Sequence, residues 1–148
     1  MAIIAFLLVA IVALEHVYIL VLEMFLWTTP RAMKTFGTSQ EFAVASKGLA
    51  ANQGLYNGFL AAGLIWSLVH PNGQIAFQLQ VFFLGCVIVA ALYGAATVKP
   101  KILLVQGAPA IVAMGTVLLF ANPELGFTGR CGITQASAIM SELLTVVL

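Results

Sequence analysis

From Ile3 to Trp27 the sequence is apolar apart from a tyrosine and three ionisable residues, Glu15, His16 and Glu23. A run of that length can cross a bilayer, which takes about 20 mostly apolar residues. Ionisable side chains in hydrocarbon are costly, and they persist where they face a bundle interior or a water-filled cavity. The run has no basic residue ahead of its apolar core, and Glu15 and His16 stand where a cleaved signal would be purely apolar. It reads as a permanent span with a polar group at its centre.

Composition extends that reading to the rest of the chain. Of 148 residues, 62% are hydrophobic and only 7% charged, where soluble domains carry roughly 25% charged residues. A soluble domain this apolar would expose large adhesive patches. The formal net charge is +1, too little for the dense basic face that nucleic acid requires. Cys86 and Cys131 lack metal-ligand spacing and form no disulfide framework. Cys86 falls within an apolar run as a small filler.

The expected fold is all-α, an antiparallel four-helix transmembrane bundle with a C-terminal extension. The transmembrane domain covers residues 1–121, with helices at about 3–28, 52–69, 75–98 and 102–121. Residues 29–51 hold Pro30, Arg31, Lys34, Glu41 and Lys47 and are too polar to span. They suit a short interfacial helix, because Thr38-Ser39-Gln40-Glu41 offers hydroxyl caps ahead of an apolar run. His70-Pro71-Asn72-Gly73-Gln74 is a tight turn in which His70 is an ordinary turn residue. Lys99-Pro100-Lys101 makes a second turn, and Asn122-Pro123-Glu124 closes the fourth helix. Residues 122–148 are expected as an extracytoplasmic loop and an apolar tail, Ser137 to Leu148, too short to span alone.

Basic residues set the orientation. Arg31, Lys34 and Lys47 lie between helices one and two, and Lys99 and Lys101 between helices three and four. Lys and Arg accumulate on the cytoplasmic side. Four spans then place both termini and the His70 turn on the extracytoplasmic side. Trp27 and Trp66 suit aromatic positions at the two interfaces.

Measured from the cytoplasmic end of each helix at 1.5 Å per residue, Glu23, Asn57 and Tyr93 each lie about 7 Å deep, and Gln106 about 6 Å. Gln53 flanks Asn57 one turn toward the cytoplasm, as Thr97 flanks Tyr93. His16 and Glu23 are seven residues apart and share a face to within roughly 20°. Glu15 points elsewhere, with Tyr18 near its side of the helix. The candidate binding set is therefore Glu15, His16, Glu23, Asn57, Tyr93, Gln106, Gln53 and Tyr18. Two readings of it stand side by side. It lines a polar cleft open to the cytoplasm, or it is hydrogen-bonded glue between helices, with Glu23 snorkelling or paired to Lys34 or Lys101. Gly54, Gly58, Ala62 and Gly63 would let another helix approach closely. Gly107 to Ala110, with Pro109, mark a bend in helix four.

Three blocks carry a resemblance. They are Glu15-His16-Val17-Tyr18-Ile19-Leu20 with Leu22 to Arg31, Asn52 to Gly63, and Lys101 to Ala110. Together they resemble the small bacterial four-helix membrane family known as domain of unknown function thirteen-hundred-and-four. The resemblance covers roughly residues 3–120 and implies four helices with short turns. Some members carry the label epimerase, but the resemblance implies no defined activity. The tail departs from the family pattern, which ends near Phe120.

Three classes of function follow. The first, preferred here, is binding or transport of a small polar or cationic solute through the cleft, since carboxylate and His groups in mid-span suit cation binding or proton coupling. The second is an accessory or structural subunit of a larger membrane complex. The third is a membrane-embedded enzyme of isomerase type, with Glu and His as acid and base. No catalytic residue, cofactor or metal is assigned: there is no nucleophile motif or phosphate loop, and Glu15 and His16 point about 100° apart on a helix. The expected partners are the lipid bilayer and either further copies of the chain or a membrane complex, with no nucleic acid.

Overall fold

Hydrocarbon offers no partner to backbone N–H and C=O groups, so an apolar run in it must satisfy them internally as a helix. The computed structural model, which describes residues 2–123, is helical throughout. Helix α1 spans Ala2–Met24, α2 Pro30–Phe36, α3 Gln40–Ala45, α4 Lys47–Val69 and α5 Gly73–Thr97. A π-helical turn, Leu103–Gly107, leads into α6, Ala108–Phe120. Three described helices are long and apolar enough to cross a membrane: Ile3–Met24, Gly73–Thr97 and Leu103–Phe120. The span expected from Asn52 belongs to a longer helix that starts at Lys47, and α4 is not among those three, because Asn52, Gln53 and Asn57 crowd its first half. Cys131 and the tail from Glu124 onward lie outside the described residues.

The chain forms two compact units, one of residues 13–62 and one of the residues up to Val12 and from Gly63 onward. In the first, punctuation residues define the short elements after α1. Thr29 caps α2 by accepting from the Ala32 N–H, and Pro30 opens the helix where its missing N–H costs nothing. Gly37 ends α2 at φ 65, a left-handed conformation that glycine adopts without strain. Ser39 then caps α3 through the Phe42 N–H at 3.2 Å, so one of the two expected hydroxyls serves. Trp27, Ala43 and Ala50 form a small core, with Met33 and Phe36 packed on it. The Trp27 and Phe36 rings lie 4.9 Å apart, centroid to centroid. Trp27 is buried, because α2 and α3 give its ring an apolar seat.

Glycines bring α4 against α1 in this unit. A side-chain carbon at Gly54 would lie 3.0 Å from Glu23 Cβ and 3.1 Å from the Met24 backbone nitrogen. One at Gly58 would lie 2.5 Å from the Leu20 tip. Only a missing side chain allows backbones this close.

In the other unit, Asn72 caps α5 through the Ile75 N–H at 3.1 Å. His70 stays within its turn, where Nδ1 accepts from the Asn72 N–H at 3.1 Å. Leu84, Val87 and Ala91 of α5 are buried, as are Ala110, Ala113 and Val117 of α6. Gly94 faces Ile102, and Gly107 faces Ala91. Pro109 has no N–H for the Val105 carbonyl, and its ring crowds the preceding turn. The chain responds just upstream by widening to a π turn, where the Ala108 N–H reaches back to the Leu103 carbonyl.

Candidate functional site

The buried stripe of α1 runs through Ala5, Val9, Val12, His16, Ile19 and Glu23. Its spacing alternates between three and four residues, so the two ionisable members share the face that packs inward. His16 is 1% exposed and Glu23 7%. A carboxyl group taken out of water needs a donor. Asn57 of α4 supplies it, its Nδ2 donating to Glu23 Oε2 at 2.8 Å. The same Nδ2 lies 3.3 Å from the Gln53 carbonyl one turn earlier, which holds the amide in place. The glycine contacts explain why so short a side chain can reach. Gly54 precedes Asn57 by three residues and sits against Glu23 itself.

At the neighbouring position to His16, about 100° around the helix, the arrangement is less complete. The Glu15 side chain is half-buried, and its Oε1 has no hydrogen-bond partner among the described residues. Tyr18, three residues along on that side of α1, is exposed and engaged from below. Arg31 Nε of α2 donates to its hydroxyl at 3.2 Å, and the guanidinium carbon lies 5.4 Å from the ring centroid. Arg31 therefore lies along α1 toward the apolar span, its charge resting on an aromatic face.

The remaining predicted residues stand differently. Gln53 turns its side chain outward and contributes its carbonyl. In the second unit Gln106 is half-buried on the π turn, a feature common at functional sites. Tyr93 is 72% exposed, on the side of α5 away from buried Leu84, Val87 and Ala91. Thr97 Oγ1 bonds the Tyr93 carbonyl at 2.8 Å. Two groups escaped the sequence reading: Trp27 Nε1 donates to Ser46 Oγ at 3.1 Å, and Ser46 Oγ donates to the Phe42 carbonyl at 2.6 Å. No three His, Cys, Asp or Glu side chains cluster for a metal among the described residues.

The chain can be compared with known proteins at this point. A family model described as "Protein of unknown function (DUF1304)" matches residues 10–118, a stretch that contains every candidate residue named above. The uncharacterised protein YpaA of Lactococcus lactis subsp. lactis (strain IL1403) is 35% identical over 116 residues, which is 77% of this chain and 96% of YpaA. No solved structure matches.

Proposed function

The chain belongs to the DUF1304 family, whose description states no function, and from the residues of α1 we propose that it binds a small polar or cationic solute within a bacterial cytoplasmic membrane. In this reading four helices cross the bilayer as an antiparallel bundle, with both termini outside and the basic connections in the cytoplasm. The solute reaches Glu15, His16 and Glu23 from the cytoplasmic side. The observation that carries the reading is the Glu15 carboxyl oxygen, buried in an apolar span and lacking a hydrogen-bond partner among the described residues. A buried acceptor left unmatched costs on the order of 1–3 kcal/mol, and a cationic or hydrogen-bond-donating ligand would recover it.

A second reading has its own support. The Glu23–Asn57 hydrogen bond is complete within the protein, as expected of a polar pair that fixes helix register in an accessory subunit. One experiment separates the two. Native mass spectrometry of gently solubilised protein reads bound small molecules and partner chains together. Solute binding predicts a small-molecule adduct that falls at least about tenfold in Glu15→Gln, a loss of roughly 1.4 kcal/mol. Partner chains without an adduct, or an adduct indifferent to both Glu15→Gln and Glu23→Gln, would favour the accessory role.

A further inference from the structure

Helix α4 has two unlike faces. On one, Ala50, Asn57 and Ala61 are buried, as is Gly54. The opposite face is uncovered. Gly48, Asn52, Leu55, Phe59 and Ala62 are all exposed, at steps of four, three, four and three residues. The same alternation continues along the helix through exposed Trp66 and Val69. From Gly48 to Val69 the stripe keeps the seven-residue repeat of a seam between two helices without a break.

Any outward helix face repeats every three to four residues, so spacing alone would also suit lipid. The residue types decide between lipid and a helix. Written as a heptad, the steps put Asn52, Phe59 and Trp66 at position a, and Gly48, Leu55 and Ala62 at position d. Asn52 is the one polar side chain among them, and a carboxamide turned to hydrocarbon finds no partner there. It is its own complement, since an amide carries both donors and an acceptor. Copies of a chain enter a bilayer in one orientation, so a two-fold along the membrane normal sets two α4 helices parallel. Each a residue then faces its own copy. Asn52 meets Asn52, the arrangement by which a single polar a residue fixes register and strand number. Ala62 lies between Phe59 and Trp66 and leaves room for rings from both helices, as Gly48 lets the two backbones approach at the start of the helix.

We propose that this face of α4 is the interface with a second copy of the chain, a parallel two-helix seam closed by an Asn52–Asn52 hydrogen bond. Tyr56 flanks the seam at position e, its ring edge-on to Phe59 with centroids 5.9 Å apart. The seam lies on the side of α4 away from the Glu23–Asn57 pair, so pairing leaves those groups in place. The inference is independent of the solute reading.

The test uses the full chain in native membranes, with Cys86 and Cys131 replaced by serine. A thiol introduced at a d position of a parallel pair lies opposite its own copy, within the roughly 6 Å between Cα atoms that a disulfide spans. Ala62→Cys should therefore cross-link to a dimer under mild oxidation, and Val89→Cys, exposed on α5, should stay largely monomeric. Single-molecule photobleaching of labelled protein in phosphatidylcholine bilayers then counts copies as protein density falls. Asn52→Leu should weaken the dimer by roughly three- to tenfold, the worth of one interhelical hydrogen bond in a membrane. Monomers at every density, or equal cross-linking of Ala62→Cys and Val89→Cys, overturn the proposal. So does a dimer indifferent to Asn52→Leu, or an Ala62→Cys adduct with an unlike protein, which would give the face to a different partner.

Discussion

Asn57 is a short amide whose one clear side-chain partner is an acid on another helix, so its loss leaves Glu23 Oε2 buried without a donor. Asn57→Ala is expected to lower stability by about 1–3 kcal/mol, read as the unfolding midpoint in detergent. Replacing both groups by leucine should cost much less than the two single changes added together. Additivity in that cycle would mean that the two side chains do not interact. Trp27 makes a second such test. Trp27→Phe keeps the ring against Phe36 but removes the bond to Ser46 and should cost about 1 kcal/mol, whereas Trp27→Ala should cost about 3–5 kcal/mol. The Glu23–Asn57 meeting was foreshadowed in the sequence, because rise per residue sets both at one depth. Tyr93 shares that depth in the same count yet turns outward. Rise fixes height along a helix, while the face presented depends on tertiary neighbours that a count of residues does not contain.

Among the elements, the packing of α1 on α4 rests on glycines with unequal tolerance. At Gly54 the obstacles include Glu23 Cβ and the Met24 backbone, which have nowhere to go. At Gly58 the obstacle is the tip of Leu20, which can rotate away. Gly54→Ala should therefore destabilise by about 1–3 kcal/mol and Gly58→Ala by less, with thermal unfolding of the two variants as the check. Equal effects would show that the helices do not approach as described. The small-residue row Gly54, Gly58 and Ala62 was legible from its four-residue spacing, and the bend before α6 from Pro109. The early start of α4 was not. Ser46 breaks α3 from α4 without a proline or glycine, its hydroxyl bonding back to Phe42, and serine serves equally well inside a helix. The seat for Trp27 was hidden for a related reason: α2 and α3 are too short to show a clear apolar face.

For the molecule as a whole, the governing idea is that hydrocarbon excludes charge, so that the ionisable residues of α1 set its rotation about its own axis. The long apolar helices were evident from length and composition alone, since little else explains 62% hydrophobic residues. The pairing of acids with particular neighbours needed coordinates. Oxygen accessibility of spin labels along α1 in lipid bilayers, in a background with Cys86 and Cys131 replaced by serine, tests the idea without touching any acid. Labels at Leu7, Ile11 and Leu14 should meet dissolved oxygen freely, and labels at Val9, Val12 and Ile19 should be shielded, in register with His16 and Glu23. Greatest oxygen contact along the Val9–Val12–Ile19 stripe would turn those acids toward lipid and contradict the account.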